Sequence, residues 1–191
     1  MHHMINRRAL SVVILLSTLL LAGCSGVFGE SPGEQADQAI NEANGAIDEH
    51  NRLFDQARAT YDDVKQQIEA GNDPSAQQDR ITQARDDMEQ ARSRLQDARD
   101  SLDGVNDLDV DPAVKRYAST LSDAMNAQIS AEDREIEFYT LLEEDPALEN
   151  NREEAENLLE QVGEDYERAE QAYAEARQLA DENPDLIEST Q

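Results

Sequence analysis

Most of what catalytic sites are built from is scarce in this chain. Its 191 residues include one cysteine, three histidines and no tryptophan, and aromatic residues make up 4%. Two of the histidines stand at positions 2 and 3, so His50 alone is left for the body of the chain. A cysteine–histidine nucleophile, or a metal centre of several thiolates and imidazoles, has almost no material. Bases are also few, 16 against 43 acids, for a formal charge of −27. Affinity for nucleic acid comes from Lys and Arg neutralising phosphates, so that class of partner is excluded. The one long apolar run, residues 9–21, is shorter than the roughly 20 residues that span a bilayer.

That run has a context. Asn6-Arg7-Arg8 precedes it and Leu21-Ala22-Gly23-Cys24 ends it. A basic n-region at Arg7 and Arg8, an apolar h-region and small residues are the parts of a secretory signal peptide, in order. Leu21, Ala22, Gly23 and Cys24 resemble the lipobox of exported lipoproteins. The resemblance covers the leader only. It implies that residues 1–23 are removed, that Cys24 becomes the first mature residue and is lipidated, and that the protein is anchored on the extracytoplasmic face of the cell membrane. One acyl chain at about 0.8 kcal/mol per buried CH₂ holds only marginally, so a stable anchor takes two. The single cysteine would then serve the anchor, and no cofactor beyond the covalent lipid on Cys24 is expected. Arg7-Arg8 also resembles a twin-arginine signal, so export of a folded and of an unfolded chain both stay open.

Removing residues 1–23 takes away Arg7 and Arg8 and no acid, which moves the charge from −27 to −29. What remains holds many arginines but only two lysines, Lys65 and Lys115. Dense carboxylates with little lysine resemble the proteins of salt-loving organisms. The Cys24-Ser25-Gly26 start is similar to lipoproteins of halophilic archaea. At about 1 M salt the Debye length is about 3 Å, so repulsion among carboxylates is screened; in dilute buffer it opposes compaction. An ordinary acidic helical protein is the alternative.

Helix signals follow the leader. Ser31-Pro32, Asp73-Pro74, Asp111-Pro112 and Asp145-Pro146 each offer an N-cap followed by a proline whose missing N–H costs nothing there. Gly71 and Gly104 are placed to end helices in the left-handed conformation. These signals predict helices over 32–70, 74–104, 112–143 and 147–182, the last with an alternative start at Asn150 and Glu153 as its capping-box partner. Uncharged residues recur at alternating spacings of three and four. In the second helix they are Ile81, Ala84, Met88, Ala91, Leu95, Ala98, Leu102 and Val105. The fold class predicted is all-α: an antiparallel up-down four-helix bundle with long, coiled-coil-like helices. Two long hairpins that associate between chains are the alternative. The domains expected are a signal peptide at 1–23, lipidated Cys24 with a tether to residue 31, the bundle at 32–182 and a flexible tail at 183–191. Alanine at every second seam position of the second helix predicts a narrow core with little room for a cofactor. The fourth helix is the most acidic.

Chemistry within the bundle is sparse. A di-iron site of the ferritin type needs Glu-x-x-His twice, and the second to fourth helices contain no histidine. Asp107, Asp109 and Asp111 open like a calcium loop, but the sixth position is Pro112 and the twelfth Ala118. We expect a helix-linking loop there, with Leu108 and Val110 covering the end of the bundle. His50 in the first seam and Gln128 and Glu132 in the third are the polar exceptions, and they suggest a polar core layer that sets register. Glu135 and Tyr139 lie close by in the third helix. No catalytic and no metal-binding residue is expected.

The function predicted is a non-catalytic surface lipoprotein, its helical bundle a spacer or interaction module in the cell envelope. Its partners would be the membrane, through the anchor, and another envelope protein, with no nucleic acid. A small-ligand or cation binding lipoprotein working beside a membrane transporter or sensor is the alternative.

Overall fold

Ser31 opens the first helix in the way its sequence suggests. Its hydroxyl accepts from the Glu34 backbone N–H at 3.3 Å, and the Glu34 carboxylate accepts from the Ser31 N–H at 2.8 Å, so two amides that a helix start leaves unpaired are both satisfied. The computed structural model describes residues 30–183. The leader, with Arg7, Arg8, Leu21, Ala22, Gly23 and Cys24, and nearly all of the expected tail lie outside the described residues. Four helices follow one another: α1 Pro32–Glu69, α2 Gln78–Gly104, α3 Pro112–Glu144 and α4 Arg152–Glu182, with 3-10 turns at Pro74–Gln77 and Val105–Asp107. Among the described residues there is no strand, and no helix is long and apolar enough to cross a membrane.

Two other predicted caps form. Asp73 accepts from Ser75 N at 3.0 Å and Asp111 from Ala113 N at 2.8 Å. Gly71 takes φ +89°, the left-handed turn expected of it. Three boundaries differ from expectation. Asp73 caps the Pro74–Gln77 3-10 turn, and the α-helix starts only at Gln78. Gly104 stays helical at φ −59° because the chain tightens into a 3-10 turn instead of reversing through a left-handed residue. The fourth helix begins at Arg152, not at 147 or Asn150, and Asn151 makes no side-chain cap bond, so the expected capping box with Glu153 is absent. Asp145 explains the delay: its carboxylate accepts from Glu149 N at 3.0 Å and Asn150 N at 2.8 Å, folding residues 145–150 into a loop with Leu148 at φ 51°. The Asn150 N–H is the main reason the Asp145 carboxyl lies below its usual range.

The helices pack on one another, α1 on α2, α2 on α3 and α3 on α4. Polar pairs mark the register. Gln56 donates to Asp87 at 2.9 Å and Asp63 pairs with Arg80. Arg85 pairs with Glu143, Arg92 with Asp133, and Ser122 donates to Asp103 at 2.6 Å. Tyr173 donates to Gln128 and Tyr166 to Glu135, both at 2.8 Å. Along each seam the partner's number falls as the first rises.

Every predicted seam residue of α2, from Ile81 to Val105, is buried. The core divides into two clusters. One joins Ala36, Ile47, Leu95, Leu102, Leu121 and Met125 with Ala169 and Tyr173, and Leu108 and Val110 pack against it as the loop reading expects. The other joins Val64, Ile81, Met88, Phe138, Leu142 and Ala155. Each large aliphatic side chain so buried contributes about 1.5–3 kcal/mol. α3 buries more than one three-and-four stripe, since Ser122, Ala124, Ile129, Ala131, Glu135, Phe138 and Leu142 are inside together with Leu121, Met125, Gln128 and Glu132. It packs against both α2 and α4, and one 3-4 stripe cannot serve two neighbours.

Candidate functional site

Between the two apolar clusters the interior turns polar. His50 on α1 and Gln128, Glu132 and Glu135 on α3 are buried there. The three residues singled out from sequence, His50, Gln128 and Glu132, meet directly. His50 Nε2 lies 2.8 Å from Glu132 Oε1, and Gln128 Nε2 lies 2.9 Å from the same oxygen. The other ring nitrogen, Nδ1, faces Asn51 Oδ1 at 3.1 Å. Both ring nitrogens thus face oxygens. The Gln128 amide donates to Glu132 Oε1, and His50 Nε2 is only 3.2 Å from the same amide nitrogen. Tyr173 OH completes the group by donating to Gln128 Oε1. Phe54 stacks on the imidazole with ring centroids 5.5 Å apart.

One turn along α3, Glu135 accepts three hydrogen bonds at 2.8 Å, from Arg58 Nη2, Tyr139 OH and Tyr166 OH. Arg58 reaches it across the rings of Phe54 and Tyr166, 4.8 and 4.9 Å from their centroids. Burial first, and the Glu135 charge second, push the Tyr139 and Tyr166 hydroxyls well above the usual phenol range, so both remain donors. A third buried acid, Asp165 on α4, is held between Arg134 and Arg168. Each buried acid in this layer therefore has a cationic or proton-sharing partner, which is the condition for burying it. Two acid oxygens of this layer are buried with no hydrogen-bond partner: Glu132 Oε2, and Asp165 Oδ2, which is ion-paired with Arg134.

Sequence reasoning found the core of this layer and missed Arg58, Asn51 and Asp165. Arg58 is exposed on α1 and folds inward, and Asp165 looks like one more acid on the most acidic helix. Tyr166 and Tyr173 lie at the three-and-four spacing along the fourth helix, and spacing does not show where their hydroxyls go. The Asp107, Asp109 and Asp111 series does not gather: Asp107 ends the 3-10 turn and Asp111 caps α3. Among the described residues no three His, Cys, Asp or Glu side chains are placed to hold a metal ion.

A second feature departs from the narrow core expected. Beside the Gly71 turn a half-open cavity of about 390 Å³ is lined by residues of all four helices. Val64, Ile68, Ile81, Phe138, Leu142 and Leu159 line it, with Tyr61, Lys65, Glu69, Arg152 and Glu156 also on its walls. The alanine argument applied to α2, where Ala84, Ala91 and Ala98 are fully buried; Ile81 is the α2 residue that lines the cavity, and most of its walls come from the other helices and the 146–148 loop.

A set of four packed helices with a buried ion-paired layer is the class of molecule these features define. Comparison with protein-family models, with curated proteins and with solved structures returns no match.

Proposed function

We propose that the chain is a non-catalytic, membrane-anchored lipoprotein whose bundle stands as a spacer or interaction module on the extracytoplasmic face of the cell envelope. The observation that carries this reading is the leader, Arg7-Arg8, an uncharged run, then Leu21-Ala22-Gly23-Cys24. The position of Ser31 fits it: a helix cap seven residues after Cys24 leaves a short tether, so the bundle would stand close to the membrane. The four helices form an antiparallel up-down bundle with coiled-coil-like seams. The register pairs 56 with 87 and 63 with 80, 85 with 143 and 103 with 122, and 128 with 173 and 135 with 166 support that topology. With an even number of helices, the start of α1 and the end of α4 then share the membrane-proximal end. The His50–Gln128–Glu132 layer fixes the register of α1 against α3, the best attested role for buried polar groups between helices.

Replacing Cys24 tests the anchor. Cys24→Ser should move the protein from the detergent phase to the aqueous phase, or leave it unprocessed, because among the described residues no helix is long and apolar enough to cross a membrane. Unchanged partitioning of that variant contradicts the reading. The cavity beside the Gly71 turn favours the second reading, a ligand-binding lipoprotein, and gives it a specific chemistry.

A further inference from the structure

We propose that the cavity beside the Gly71 turn binds a small free amphiphile with an aliphatic tail and a carboxylate-type anionic head. The walls suit the tail. They are mainly aliphatic and aromatic, and about 390 Å³ falls in the lower part of the 300–1,000 Å³ range of small-molecule sites.

The donors suit the head. Of the fourteen Lys and Arg side chains among the described residues, nine are in ion pairs. Lys65 and Arg152 are in none, make no hydrogen bond among the described residues, and both line this apolar cavity. Tyr61, one turn before Lys65 on α1, also lines it. Tyr139, Tyr166 and Tyr173 each donate to an oxygen, whereas the Tyr61 hydroxyl has no such acceptor. Burial, then the charge of Glu135, pushes that phenol up to about 12, so it stays a donor. Three donors with no protein acceptor, the exposed Lys65 and Arg152 and the half-buried Tyr61, border one apolar cavity and suit an anionic oxygen group, since charge-assisted hydrogen bonds are the strong ones.

Glu69 and Glu156 lie on the same walls, each four residues beyond Lys65 or Arg152. They make the mouth neutral as a whole, so recognition rests on direct donation rather than on long-range attraction. The net charge of the chain repels an anion at low salt, and screening removes that repulsion. Binding should therefore tighten as salt rises. Lys65 is 33 residues along α1 from Pro32, about 50 Å at 1.5 Å per residue. That is too far from a bilayer held at Cys24 for a membrane lipid to reach, so the occupant is a free molecule. The choice of source rests on the anchor; the binding chemistry does not.

The test is calorimetric titration of the full chain in molar chloride with octanoate, octanol and octyltrimethylammonium. Octanoate should bind saturably, one per chain, at least about tenfold tighter than octanol, with no saturable binding of the cation. Lys65→Met with Arg152→Met should lower octanoate affinity to that of octanol and leave the melting temperature unchanged. Tyr61→Phe should weaken octanoate less. No saturable octanoate binding, equal affinity for octanoate and octanol, or a preference for the cation would overturn the proposal. The headgroup series on the unaltered chain decides this whatever the variants do. Removing the anchor with Cys24→Ser should leave the affinities as they are, which separates failure of this site from failure of the lipoprotein reading.

Discussion

Glu132 is a carboxylate with no contact with water, and its partner His50 comes from another helix. Removing one member of such a pair strands the other, which typically costs about 3–5 kcal/mol, whereas replacing both with apolar residues of similar volume is often neutral. His50→Leu alone should therefore lower the unfolding free energy by about 3–5 kcal/mol in chemical denaturation. Adding Glu132→Leu should recover most of that loss. If the double variant were as unstable as the two single losses added together, the pair would not be acting as a unit. These two residues were legible because a charge or an imidazole at a seam position breaks an otherwise apolar pattern. Arg58 was not, because a long side chain can fold over its neighbours from an exposed backbone position. The roles of the three phenols that complete the layer were not legible either, because helical spacing says which way a ring points and not what its hydroxyl meets.

Helix ends make the same point one level up. Serine or aspartate ahead of proline marked the starts at Ser31, Asp73 and Asp111, since the capping bond is local to a few residues. Asp145-Pro146 has the same sequence but caps a loop, because its carboxylate finds amides four and five residues on. Glycine is equally ambiguous. Gly71 adopts φ +89° and Gly104 does not, although both were expected to. Gly45 and Gly163 sit on exposed helix faces with open space where a Cβ would go. Gly45→Ala and Gly163→Ala should each stabilise the protein by about 1 kcal/mol. Gly71→Ala should destabilise it by about 1–2 kcal/mol, the cost of a left-handed residue with a side chain. Thermal melts of the three variants check both signs; a destabilised Gly45→Ala would mean that this face of α1 is covered.

For the whole molecule, charge is the dominant fact. A chain of −27 whose core rests on alanine as much as on leucine has little burial to set against self-repulsion. Helicity and melting temperature should rise from dilute buffer to molar salt. Matched ionic strengths of chloride and sulfate separate the causes: equal effects mean screening, and a clear advantage for sulfate means strengthened burial. The same melting temperature in dilute and molar salt would leave an ordinary acidic helical protein. The order of the helices was legible because caps and periodicity are written locally. The cavity was not, because its walls come from all four helices and the 146–148 loop, which only the tertiary packing brings together.

The lipid anchor is tested most directly by mass spectrometry of tryptic peptides from the membrane-extracted protein. No Lys or Arg lies between Cys24 and Arg52, so the processed chain yields a first peptide of residues 24–52. That peptide carrying the mass of covalent lipid, with no peptide of residues 9–52, is the expected result. An unmodified Cys24 within an intact 9–52 peptide would contradict the assignment.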